Sequence, residues 1–130
     1  MNDWHNFIGG KWVSGNSSIN IENPATGEIF ATIAKASLDD LEAAVTAARD
    51  CVNSRVLIDC KPAERSTLLY RIATEIRGIS QQGSGRAVLE NGKRLSDAQN
   101  EFNEAARYFE YYAGMADKIE GVSIPLGSGY

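Results

Sequence analysis

The chain has little of what most catalytic or binding sites are built from. Its 130 residues hold a single histidine, His5, and two cysteines, Cys51 and Cys60. Two cysteines make no disulfide framework. Adding one histidine gives neither the four ligands nor the spacing of a structural zinc site. No basic or histidine cluster flanks either cysteine to activate its thiol, so both read as structural or without a role. His5 falls in an N-terminal segment read as mobile, a poor support for a catalytic group. Positive charge is scarce as well. Thirteen Lys and Arg against 17 Asp and Glu leave a net charge of −4, the wrong sign for a phosphate-binding face. Apolar runs are short, and none approaches the roughly 18 residues that a membrane span requires. The opening MNDWHNFIGGKWV carries acid, His and Trp where a secretory signal has basic residues and an apolar core. These absences argue against a nucleic-acid partner and a membrane span, and they predict a cytoplasmic protein.

What is present is patterned for folding. A hydrophobic share of 43% with 23% charged residues fits a soluble globular chain, and the length allows one domain at most. The longest periodic stretch is Ser96 to Gly121. Leu95, Ala98, Phe102, Ala105, Ala106, Phe109, Tyr112, Ala113, Ala116 and Ile119 recur there at helical spacing. Ser96 with Gln99 fits a capping box, Asp97 and Lys118 complement the helix dipole, and Gly121 is placed as a left-handed stop. At this spacing Phe102, Phe109 and Tyr112 read as core. Tyr108, Tyr111 and Met115 point off the stripe, toward another body of protein or a second subunit.

Earlier segments supply strands and two further helices. Phe7 to Val13 predicts a hairpin through Gly9-Gly10. Ile19 and Ile21 alternate on one strand face. Asn23-Pro24-Ala25-Thr26-Gly27-Glu28 predicts a turn, and a second strand follows to Ala34, with Ile29, Ala31 and Ile33 sharing a face. Ser37 opens an Ala-rich helix with the stripe Leu41, Ala44, Val45, Ala48 and Val52. Pro62 opens another, with Leu68, Leu69, Ile72, Ala73, Ile76 and Ile79 on its buried side and Arg71 paired with Glu75. Gln81 to Gly85 predicts a break, because two glycines cost a helix about 1 kcal/mol each. Val88 to Gly92 then reads as a short separate helix. Gly83-Ser84-Gly85 and Gly127-Ser128-Gly129 are not dinucleotide fingerprints, since neither follows a strand and opens a helix with a third glycine in place. They read as a loop and a connector. The fold class expected is α+β: a small antiparallel β-meander followed by three or four helices.

Five segments resemble one family in the same order. Phe7-Ile8-Gly9-Gly10-Lys11-Trp12-Val13 is similar to the "F-I-[NG]-G-x-W" opening of aldehyde dehydrogenases. Asn23 to Glu28 resembles the turn that follows it, and Pro62 with Arg65 the family's "P-x-x-R". Glu90-Asn91-Gly92-Lys93 resembles the "[DE]-x-G-K-P" corner. Tyr111 to Gly114 and Ala116 to Gly121 resemble the end of the long helix. The resemblance covers nearly the whole chain, yet it implies only the N-terminal scaffold over residues 1–130. The family's Pro-Trp-Asn segment, dinucleotide fold, general-base Glu and nucleophilic Cys all correspond to positions beyond Tyr130. In the complete enzyme a thiolate adds to the aldehyde carbon, hydride leaves to NAD or NADP, and an activated water releases the acid. None of those roles can be carried onto a residue here, so the resemblance assigns no catalytic and no cofactor-binding residue, and it implies a chain that is inactive alone. An aldehyde substrate belongs to the complete enzyme, and association into a homo-oligomer through exposed apolar faces is expected.

One family feature maps onto this chain. Some aldehyde dehydrogenases hold a monovalent cation between backbone oxygens of the second strand and the carboxylate before the Gly-Lys corner. By position these are Ser18 or Ile19 and Glu90, oxygen donors suited to a hard cation. A solvated carboxylate that caps a turn accounts for Glu90 equally well. The sequence departs from the family at Arg94, which stands where Pro is common, in the Asn53–Cys60 loop, which lacks a frequent Trp, and in the glycines after Gln82. An alternative reading of the whole is a non-catalytic interaction module that docks on a full-length aldehyde dehydrogenase.

Overall fold

The computed structural model describes residues 2–128. Five strands precede three helices: β1 (Asn2–Trp4), β2 (Asn6–Ile8), β3 (Lys11–Val13), β4 (Ser17–Asn23), β5 (Glu28–Lys35), α1 (Leu38–Asn53), α2 (Pro62–Asn91) and α3 (Leu95–Met115). The α+β class expected from the sequence is the one observed. β2 and β3 form the predicted hairpin, with Phe7 opposite Trp12. Gly9 and Gly10 both take positive φ, 56° and 80°, as a two-residue turn of matching twist demands. β4 and β5 are antiparallel, with an irregularity between Ile21 and Glu22. Their turn closes as predicted: the Gly27 N–H donates to the Asn23 carbonyl at 2.8 Å, and the Ala25 N–H to Asn23 Oδ1 at 3.0 Å.

The N-terminus differs from the expectation of a loose segment. β1 lies parallel to β5, giving a sheet of order β1-β5-β4. Thr32 Oγ1 donates to the Asp3 carboxylate at 2.5 Å, and Arg86 stacks over the Trp4 ring. His5 is the one residue between β1 and β2. No local pattern announces a strand of three residues whose partner lies so far along the chain.

α1 starts as the sequence predicts. The Asp40 N–H donates to Ser37 Oγ at 3.1 Å and the Ser37 N–H returns to Asp40 Oδ2 at 2.8 Å, a reciprocal cap. The Ser37 N–H, then its hydroxyl, hold the Asp40 carboxyl below its ordinary pKa. A lowered folded-state pKa contributes stability above the ordinary carboxylate range and loses it as pH falls through the lowered value. Acidification should therefore fray the first turn of α1 before the paired helices α2 and α3 respond. Amide shifts of residues 37–41 followed by NMR against pH test this. Asp40→Asn, which has no carboxyl to titrate, should remove the response, and Ser37→Ala, which keeps the backbone N–H and loses only the hydroxyl, should weaken it at a cost of about 1 kcal/mol to the helix. Coincident titration of α1 and α3 amides would contradict it.

α2 is one continuous helix of 30 residues, where the glycines predicted a break and a second short helix. The reason is tertiary. Gly83 faces α3, and a Cβ built there would sit 2.5 Å from Phe102 Cε1. Ser84 is fully buried, and its hydroxyl donates to the Gln81 carbonyl at 3.2 Å. Small residues let the two helices approach, and that packing outweighs the propensity penalty. The predicted Arg71–Glu75 pair is absent among the described ion pairs; Arg77 instead reaches across to Glu110 on α3. That guanidinium holds the Glu110 carboxyl below its ordinary pKa.

α3 is shorter than predicted. Arg94 occupies the N-cap position without a side-chain cap bond, so the Ser96–Gln99 box does not form. Arg94 pairs with Asp97, and Lys93 Nζ reaches Glu101 at 2.6 Å, fastening the corner through side chains. The helix ends at Met115 rather than near Gly121, and Lys118 Nζ donates to the Gly114 carbonyl at 2.7 Å. The core is made of small residues: Ala31, Ala73, Ser84, Ala98, Ala106 and Ala113. Phe102 and Phe109 are half-buried. Tyr112, Leu95 and Ile119, expected inside, are exposed, Tyr112 at 60%. Tyr112 falls beyond the line of contact with α2, and Ile119 lies past the end of the helix. On α1 no residue is buried, and its stripe of Leu41, Val45 and Val52 is open.

The accessible surface is 10153 Å² for 14.1 kDa. A compact monomer of that mass exposes roughly 6,700 Å². The surplus is several times the ~800 Å² that one partner contributes to a standard interface.

Candidate functional site

A concavity lies between β5 and the end of α2, with a volume of about 340 Å³. Phe30, Ala31 and Ile33 of β5 form its floor, Trp4 one wall, and Arg86, Leu89 and Glu90 of α2 the other. The Arg86 guanidinium carbon stands 4.2 Å from the centroid of the Trp4 ring, a cation–π contact that joins the walls. The lining is therefore mainly apolar with one cation and one carboxylate.

Glu90 sits in the last turn of α2. Gly92 ends that helix in the left-handed region, φ 72°, with its N–H on the Val88 carbonyl at 2.9 Å. A Cβ on Gly92 would lie 3.3 Å from Pro24 Cγ. The Glu90-Asn91-Gly92-Lys93 corner thus packs on the Asn23–Glu28 turn, and two of the sequence motifs meet. Pro62 and Arg65 also act together: Arg65 Nη1 donates to the Cys60 carbonyl at 2.6 Å, tying the loop to the helix that Pro62 opens.

Ser18 and Ile19 lie on β4, opposite Ala34 and Ile33. Ser18 lines a second, polar hollow with Asp3, His5 and Thr32, whereas Glu90 lines the first. Trp4 borders both. The two halves of the candidate cation site therefore flank the same tryptophan without sharing a cavity. Cys51 is exposed, Cys60 half-buried, and both are free thiols. Among the described residues no three His, Cys, Asp or Glu side chains converge as a metal set. Gly83 and Gly85 lie inside α2 and not in a loop, so their geometry does not fit a dinucleotide phosphate. Of the Gly127–Gly129 stretch, Gly129 lies outside the described residues. Tyr108, Tyr111 and Met115 point outward as expected, at 65%, 64% and 39% exposure. The Trp4–Arg86 contact had no signal in the sequence, because nothing local links an N-terminal Trp to a late turn of α2.

The family model for the aldehyde dehydrogenase family matches residues 12–130. The chain belongs to the aldehyde dehydrogenase family. Among curated relatives it is similar to the (Z)-2-((N-methylformamido)methylene)-5-hydroxybutyrolactone dehydrogenase of Acinetobacter baylyi, 32% identical over 97% of this chain and 26% of the relative. Among solved structures it is similar to an aldehyde dehydrogenase from Bacillus cereus in complex with NAD⁺, with a TM-score of 0.89 and 31% identity over 99% of this chain and 27% of that one. An NAD-dependent aldehyde dehydrogenase from Sinorhizobium meliloti gives 0.88 and 30% over 96% and 26%. The chain spans about a quarter of the length of the relatives it matches and corresponds to their N-terminal segment. No helix among the described residues is long and apolar enough to cross a membrane.

Proposed function

We propose that residues 1–130 are the N-terminal scaffold of a cytoplasmic, homo-oligomeric aldehyde dehydrogenase that oxidises an aldehyde to a carboxylic acid with NAD⁺ or NADP⁺. The scaffold supplies no nucleophile, general base or dinucleotide loop and is silent alone. The observation that carries this reading is the surplus surface. Leu38, Leu41 and Val52 on α1 are more than half exposed, as are Tyr108, Tyr111 and Tyr112 on α3, and Val122 and Ile124 beyond it. Apolar faces on this scale are patterned to be covered by more protein. For the complete enzyme the proposal includes a monovalent cation between the Ser18 or Ile19 carbonyl oxygen and Glu90, whose carboxylate makes no hydrogen bond or ion pair among the described residues.

The test pairs the 130-residue chain with the Bacillus cereus relative stripped of its matched N-terminal segment. The chain alone, given aldehydes with NAD⁺ or NADP⁺, should form no reduced nicotinamide. Co-expression should recover a soluble complex with aldehyde-dependent turnover. Turnover by the chain alone would end the claim of silence, and a chain that stays monomeric and ignores the truncated relative would end the scaffold reading. In the recovered complex, potassium or sodium should raise the melting temperature, and Glu90→Gln should abolish that rise. An unchanged response in Glu90→Gln removes the cation site. The exposed tyrosine face of α3 also favours a second reading, a module that docks on an intact enzyme. Capture of the intact relative by the chain, without complementation of the truncated one, would select it.

A further inference from the structure

We propose that Asn2–Trp4 is a hinged strap over the cavity between β5 and α2, with Trp4 as its gate and Arg86 as its catch. β5 carries unequal partners on its two edges. β4 pairs with it over seven registered residues, β1 over three, from Asn2 opposite Ala31 to Trp4 opposite Ile33. The short pairing is also the parallel one, the weaker geometry per residue.

Two side-chain ties hold the strap, the first exposed and the second half-buried on its Arg86 side. One is the Thr32 hydroxyl on the Asp3 carboxylate, the other Arg86 on the face of Trp4. Trp4 remains 38% exposed while walling the cavity. The hinge is His5, exposed and alone between β1 and β2. Beyond it, β2 packs on α1 and pairs with β3, outside the three-stranded sheet, so the hairpin can stay in place while β1 swings. Next to the hinge, Asn6 Nδ2 is buried without a hydrogen-bond partner. A buried orphan donor costs free energy in the closed state, and opening beside it admits water. Release of the strap uncovers Phe30 and Ile33 together and frees the β5 edge from Ala31 to Ile33, a slot for an extended peptide with a bulky apolar side chain at the Trp4 position.

Hydrogen exchange on the full 130-residue chain, read by mass spectrometry, tests the strap at two protein concentrations tenfold apart. In the closed form the β1–β5 amides should exchange faster than those between β4 and β5, at a rate independent of concentration. Arg86→Gln and Thr32→Val should each speed the β1–β5 exchange about two- to fivefold. Exchange in α2 and α3 should not change. A synthetic Asn2–His5 peptide at millimolar concentration should protect the β5 edge in Arg86→Gln, and its counterpart with alanine at the Trp4 position should not. Exchange of β1 at the same rate as β4, under both substitutions, would overturn the proposal. So would acceleration that spreads through α2 and α3, or a rate that depends on protein concentration.

Discussion

Ala106→Asp should unfold the α2–α3 pair. Ala106 has no accessible surface, and its methyl lies in the middle of the face that α3 turns toward α2. A carboxylate there has three outcomes: it ionises without water, it takes up a proton, or it forces the helices apart. Arg77, the guanidinium that reaches from α2 to α3, is already held by Glu110, so it is not free to pair. An uncompensated buried charge costs about 3–5 kcal/mol. Whole domains are stable by roughly 5–15 kcal/mol, and a buried core of five alanines and one serine among the described residues puts this chain toward the low end. The expected result is loss of the urea transition by circular dichroism and recovery in the insoluble fraction. Ala106→Ser is the control. A serine can return its hydroxyl to the preceding turn, as Thr67 and Thr74 do here at 3.0 Å, so its cost should be about 1 kcal/mol. An Ala106→Asp chain with an unshifted urea midpoint would mean that the two helices do not pack as described.

The second large effect reverses sign with its background. Gly83→Ala improves helix propensity by about 1 kcal/mol in isolation. In this fold the new methyl would overlap the tip of the Phe102 ring, which already fills the space above Gly83. Overpacking of this kind costs typically 1–3 kcal/mol. Gly83→Ala should therefore lower stability in the natural background. With Phe102→Ala in place the ring is gone and the same substitution should stabilise by about 1 kcal/mol. Denaturant midpoints of the four chains form a double-mutant cycle. Equal effects of Gly83→Ala in both backgrounds would show that Gly83 does not contact Phe102.

That pair also explains what the sequence could and could not tell. The hairpin at Gly9-Gly10 and the turn at Pro24 were legible because their chemistry is local: positive φ and a fixed φ are properties of single residues. The glycines in α2 send the same local signal, and there it misleads, because the ring that fills their space belongs to the next helix. The Ser96 cap failed for a related reason. Ion pairs from Lys93 to Glu101 and from Arg94 to Asp97 accompany a helix whose cap lies two residues earlier, at Arg94. At the candidate site, Glu90 and the corner that follows were visible as a motif. The cavity was not, since its walls come from Trp4, β5 and α2, and only the fold brings those together. The family was legible at once, because five short motifs in order survive such local errors.

The close approach of α2 and α3 has a consequence for how this chain tolerates mutation. In most domains the least replaceable positions are the bulkiest apolar ones. Here many large side chains sit outside, and the sealed positions among the described residues carry alanine or serine. A saturation scan of the 130-residue chain, read by its stability, should show permissive tyrosines and leucines beside intolerant alanines, and most non-silent one-base changes at those alanine codons introduce a side chain too big, too polar or too rigid. Random drift in this gene would therefore register first at its smallest residues.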